Sequence, residues 1–157
     1  MTVSIHLADL DDPRVGVLLG EHLAEMEPTA PPGSRHALTA EQFRMPGVTL
    51  WVAERDDEPG APLLGSVALK DLEPGHVEIK TMRVTASARG LGIGRMLLAH
   101  VLAQARSSGA SRVSLETGVV PVFDAARALY AGAGFTECAP FGPYRPDRHS
   151  TFLTLAL

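Results

Sequence analysis

Apolar and polar residues alternate over 2–8 (TVSIHLA), the spacing of an opening strand with one buried face. Between Pro13 and Met26 the period lengthens: Val15, Leu18, Leu19, His22, Leu23 and Met26 recur at helical intervals. Asp11 and Asp12 can cap that helix, and Pro13 suits a first turn that needs no backbone N–H. PTAPPGSRHA then breaks regular structure, and a short helix is expected from Thr39, with Glu41 and Gln42 in its early turn. TLWVAER (49–55), LLGSVALKDL and HVEIKTMRV read as three strands parted by turn-forming segments, which predicts an antiparallel meander. From about Leu91 to Ser107 a helix places Ile93, Leu97 and Val101 on one face, and RVSLET follows as a strand. Strand, helix and strand in that order predict a crossover leaving the two strands parallel. DAARALYAGAGF gives a last helix with a glycine turn, a short strand begins near Phe135, and STFLTLAL ends the chain as a strand. With no internal repeat and no linker, the pattern predicts a single mixed α/β domain over residues 1–157.

Composition changes this picture little. A chain that is 45% hydrophobic and 20% charged is expected to bury a real core rather than stay disordered. A net charge of −4 offers no general attraction to nucleic acid or an anionic membrane. The motifs of RNA-binding modules are missing as well, so neither partner is expected. Cys138 is the only cysteine, which excludes an intrachain disulfide and a cysteine-rich zinc site. The six histidines form no compact metal motif, and no metal is expected. MTVSIHLADLDD turns acidic without the apolar core of a secretory signal, so a cytoplasmic location is the expectation.

The stretch ARGLGIGRMLL at 88–98 carries the clearest chemistry. Gly90, Gly92 and Gly94 do not have the spacing of a dinucleotide fingerprint, and no Lys-Ser or Lys-Thr pair follows as in a Walker A loop. Small residues at a helix start still let backbone N–H groups converge on an anion. The ligand predicted is phosphate-bearing, and neither a nicotinamide dinucleotide nor a P-loop nucleotide.

HVEIKTMRVTASARGLGIGRML resembles motif A of the GNAT superfamily of N-acetyltransferases, and ARALYAGAGF resembles that family's late helix–turn–strand segment. MRV, LETG and ARALY make the chain similar to the small, uncharacterised bacterial members. The resemblance implies a mixed, mostly antiparallel sheet whose central parallel strand pair splays apart, flanked by helices, around acetyl-coenzyme A as co-substrate. It implies transfer of the acetyl group to a primary amine, expected to belong to a small molecule, by direct attack in a ternary complex. The alternative is a catalytically inactive coenzyme A-binding sensor or partner-binding domain. A homodimer is left open. The family's Arg/Gln-x-x-Gly-x-Gly/Ala pattern falls on Arg89, Gly90, Leu91, Gly92, Ile93 and Gly94, which with Arg95 are expected to wrap the diphosphate. Met82, Arg83 and Val84 are expected along the acetyl group and pantetheine arm. Phe123 stands where many relatives have an asparagine, so an apolar or stacking contact is expected there in place of an amide hydrogen bond.

For proton transfer the resemblance implies Glu78 as general base, directly or through water, and Tyr130 as the acid that protonates the coenzyme A thiolate. An ideal strand puts Glu78, Met82 and Val84 on one face, an arrangement that a bulge would alter. Glu78 also reads as a partner for Lys80. The acceptor pocket of relatives draws on the loops that are here PTAPPGSRHALTAEQF and CAPFGPYRPDRHS. Arg35, His36, Gln42, Tyr144 and Arg145 are therefore the substrate-binding candidates, the arginines as clamps for an acceptor carboxylate. Glu116 and Thr117 read equally as structural residues or ligand contacts, and Arg127 as a solvated helix residue.

Overall fold

Residues 1–157 are described by a computed structural model. Strands β1 (Val3–Leu7), β2 (Val48–Arg55), β3 (Gly65–Glu73), β4 (His76–Val84), β5 (Arg112–Gly118), β6 (Thr136–Glu137) and β7 (Ser150–Ala156) form one sheet. Its order is β1-β2-β3-β4-β5-β7-β6, and every neighbouring pair is antiparallel except β4–β5. The predicted meander and the predicted parallel crossover are both present.

Helices cover both faces. On one, α2 (Ile93–Ser107) buries Ile93, Leu97, Leu98 and Val101 against Val67, Val77, Ile79 and Leu115, with α3 (Asp124–Gly132) alongside. On the other, α1 (Pro13–Met26) buries Val15, Leu18 and Leu19 against Leu50, Val52 and Ala68. Each large aliphatic side chain fully buried this way contributes about 1.5–3 kcal/mol. The side chain of Asp12 accepts from the Arg14 N–H at 2.9 Å and caps α1, as the sequence pattern predicts. The short helix expected from Thr39 is a single 3-10 turn, Ala40–Arg44, closed by a reciprocal capping box between Thr39 and Gln42.

One irregularity in β4 shapes everything that follows. Ser66 pairs with Arg83 and Ala68 with Lys80, so two steps along β3 oppose three along β4. The extra residue is a β-bulge at Thr81, the only non-glycine residue with positive φ (53°). The Ser66 hydroxyl donates to the Thr81 carbonyl at 2.8 Å, which satisfies the group that leaves the ladder. The bulge overturns the expectation that Glu78, Met82 and Val84 share a face. Met82 and Val84 pack with Val77 and Ile79 on the α2 side, whereas Glu78, Lys80 and Arg83 lie on the other. An inserted residue shifts a period-two pattern by one, and every side chain beyond it changes sides. β4 and β5 pair only from His76–Ile79 with Arg112–Leu115, and beyond that point they run on without pairing to each other. The central parallel pair is splayed.

Candidate active site

The gap between the parted strands opens into a cleft of about 850 Å³. At one end Met82, Arg83 and Val84 line it together with Arg89, Gly90, Gly92, Ile93, Gly94 and Arg95. Gly92 has φ +82°, a left-handed conformation that no right-handed helix continues through. Helix α2 therefore starts at Ile93, two residues later than the pattern suggested. Its first bond is Met96 N–H to the Gly92 carbonyl at 3.1 Å, so the N–H groups ahead of it have no acceptor within the helix. Those donors, the positive end of the helix dipole and the exposed arginines Arg89 and Arg95 suit an anion at this turn. Leu91, 56% exposed, points out of it.

Phe123 also lines the cleft, with its ring laid against Gly118. A Cβ at residue 118 would come within 2.1 Å of that ring, so the close approach requires glycine. Arg127 is not a solvated arm: it donates to the Gly118 carbonyl at 2.6 Å and pairs with Asp124. Tyr130 is 4% exposed, lines the cleft and packs edge-on against Phe135. Burial pushes its phenol well above the usual range, so the hydroxyl keeps its proton.

The other end is assembled from separate elements. Glu78 is 2% exposed and lies behind the cleft wall. The Tyr144 hydroxyl donates to its Oε2 at 2.5 Å. Lys80, which does line the cleft, donates from Nζ to the Tyr144 Oη at 2.8 Å and stands 3.4 Å from the same Glu78 oxygen. Tyr144 sits behind the wall too, edge-on to His36 and packed among Phe141 and Phe152. His36 and Arg35 reach the cleft, although the Arg35 Nε donates to the Ala30 carbonyl. Gln42 and Arg145 do not reach it. The Gln42 amide oxygen accepts from the Thr39 N–H, and Arg145 is exposed on the outer loop.

Glu116 emerges as a wall residue that sequence reasoning left undecided. Leu115 faces the α2 core, so strand alternation turns Ser114 and Glu116 to the face of Glu78, which pairs in register with Ser114. Burial raises the Glu116 carboxyl above its ordinary value. On α1, His22 also lines the cleft; burial, then the charge of Arg83, pull its imidazole down to about 4. Arg83 itself is clamped by Glu25 at 2.8 and 3.1 Å and by Glu21 at 3.2 Å. The signal for His22 was its place on the apolar stripe of α1.

Comparison with known proteins places this arrangement. Residues 18–135 match the acetyltransferase (GNAT) family. The chain is 42% identical over 153 residues to the uncharacterised N-acetyltransferase YsnE of Bacillus subtilis, covering 98% of this chain and 99% of that one. It is 40% identical over 136 residues to an IAA acetyltransferase of Azospirillum brasilense, covering 86% and 83%. Among solved structures, a putative acyl-CoA N-acyltransferase from Klebsiella pneumoniae superposes with a TM-score of 0.77 at 26% identity, over 99% of this chain and 98% of that one. A Bacillus subtilis acetyltransferase solved with coenzyme A shares the fold at a TM-score of 0.71 and 21% identity, over 99% of both chains. No helix is long and apolar enough to cross a membrane. The splayed sheet, the anion turn and these likenesses agree: the chain belongs to the acetyltransferase (GNAT) family, as an acetyl-coenzyme A-dependent N-acetyltransferase.

Proposed function

We propose that the enzyme moves the acetyl group directly onto the primary amine of a small molecule, with both substrates bound, Glu116 taking the amine proton and Tyr130 protonating the departing thiolate. The observation that carries this reading is the pair of groups on one cleft, a half-buried carboxyl and a buried phenol whose affinities for protons are both raised. A raised carboxyl is a stronger base, and a phenol that keeps its proton can donate it. Acetyl-coenzyme A supplies the activated carbonyl and the thiolate leaving group. The residues present fit it: the turn at 89–95 offers N–H groups and two arginines to a diphosphate, Met82 and Val84 offer backbone groups, and Phe123 offers its ring.

Glu78, the base implied by resemblance, is given a different task. Its Oε2 is occupied by the 2.5 Å bond from Tyr144, and the side chain lies behind the wall. It orients Tyr144 and Lys80, while Glu116 presents its carboxyl to the cleft. A small acceptor is favoured because the Arg35–His36 loop and the Tyr144 loop meet over this end, with His36 and Tyr144 rings 4.9 Å apart. An amine library with acetyl-coenzyme A, read by thiol release and by the mass of an acetylated product, tests the reading. Efficient turnover of lysine peptides with no small amine active would overturn it.

A further inference from the structure

Three polar atoms of the cleft-lining residues are sealed from water without a hydrogen-bond partner, Nδ1 of His22, Oγ1 of Thr81 and Nη1 of Arg83; the last still has the Glu21 carboxylate 3.2 Å away, and the other two have no such counter-charge. Buried polar groups are nearly always paired, so each calls for an account. His22 comes from α1 and Thr81 from the bulge in β4, and both are 8% exposed. His22 stands in the electrostatic field of Arg83 and Lys80, which lie two residues after and one residue before Thr81 along the strand. One wall therefore gathers side chains from two elements.

Lys80 adds the charge. Its ammonium carries three N–H donors. One goes to Tyr144 at 2.8 Å, and a second faces Glu78 at 3.4 Å, longer than an ordinary charge-assisted bond. At least one donor is free for the cleft that Lys80 lines. Arg83 cannot play this part because Glu21 and Glu25 hold it. On the opposite strand stands Glu116, a carboxyl suited to an amine, while the other wall carboxylate, Glu25, is committed to Arg83.

We propose that the acceptor is an amino acid or a close analogue, with its carboxylate docked against Lys80, Thr81 and His22 on the β4 side and its amine facing Glu116 on the β5 side. This rests on the acetyl-transfer reading above and names the class of its acceptor. A carboxylate there accepts from the Lys80 ammonium, the Thr81 hydroxyl and, in one tautomer, the His22 Nδ1–H. Neutral His22 donates without placing a third cation beside Lys80 and Arg83. The site replaces the clamp expected of Arg35 and Arg145, which are exposed.

The test is a set of free α-, β- and γ-amino acids, each paired with its own carboxamide, assayed with acetyl-coenzyme A as donor. At least one amino acid should exceed its carboxamide in kcat/KM by about 10–100-fold, the range of a charge-assisted hydrogen bond. Lys80→Met should lower the ratio of amino acid to carboxamide kcat/KM by about the same factor, chiefly by raising KM for the amino acid. Thr81→Val should shift the ratio in the same direction by less, and keeps the readout if Lys80→Met fails to fold. Uncharged amines acetylated with no gain from a carboxylate would overturn the inference and leave acetyl transfer intact. No acetylated product from any amine would overturn both.

Discussion

The two ends of the cleft are built on different principles, and residue 81 is the boundary. The end proposed to receive the cofactor is made of backbone: a left-handed glycine, free N–H groups at a helix start, and apolar side chains of β4 beyond the bulge. The end proposed for the acceptor is made of side chains brought from α1, β4, β5 and the two loops that meet over them. A diphosphate has fixed chemistry, and one short turn can hold it. An acceptor must be recognised by its own groups, and that takes residues scattered along the chain. The bulge serves both ends, since it coincides with the parting of β4 from β5 and turns Lys80 toward one end and Met82 toward the other.

If the ends are separable, variants should split binding from chemistry. The largest of these effects is expected from Tyr130→Phe, which keeps the ring and removes the acid. Single-turnover acetyl transfer should slow by about 100-fold or more, with coenzyme A affinity unchanged by calorimetry. A wild-type rate would remove Tyr130 from the chemistry. Gly92→Val acts on the other end, forcing a β-branched residue into φ +82° at the turn. Coenzyme A affinity should fall by roughly 10–100-fold, the equivalent of such backbone strain, with transfer preserved at saturating cofactor. Unchanged affinity would move the diphosphate elsewhere.

That same division decides how much was legible in the sequence. The turn at 89–95 is contiguous, and its glycines announce a backbone conformation suited to an anion, while the family resemblance supplied the residues expected to line it. The strands and helices were legible because their apolar periods are strong. Three features were not. The bulge at Thr81 leaves no trace in a period-two pattern, so Met82 and Val84 were put on the face of Glu78. The closure of Glu78 by Tyr144 joins residues 66 positions apart. Glu116 is distinguished from Glu78 only by which carboxyl reaches the cleft, a fact of packing.

Smaller effects sharpen the acceptor end. Tyr144→Phe removes the donor to a buried carboxylate, and should cost about 1–2 kcal/mol, a few degrees of Tm in a chain of this size. Acceptor KM should rise while coenzyme A affinity holds; equal loss of both would mean that the ends are not separate. A pH dependence gives a further check on the acceptor end. His22 is pulled from 6.5 to about 4 in the folded state, so the unfolded chain binds the extra proton first. Stability from this residue is present above pH 6.5 and is lost as pH falls toward 4. Denaturation of His22→Gln across that window should give a flatter profile than the wild type; parallel profiles would mean the imidazole is not buried as a neutral group.

The central claim is that Glu116, and not Glu78, takes the proton. Pre-steady-state acetyl transfer to the best amine of the library, measured across pH for Glu116→Gln, Glu78→Gln and the wild type, tests it most directly. Burial raises the Glu116 carboxyl, so wild-type transfer should decline as pH falls through that raised value and the base becomes protonated. Glu116→Gln should be slower by about 100–10,000-fold, with that acid limb gone. Glu78→Gln should keep the limb and stay within about tenfold of the wild-type rate, as befits a residue that acts through Lys80 and Tyr144. The reverse ranking, with Glu78→Gln crippled and Glu116→Gln near the wild-type rate, would contradict the account.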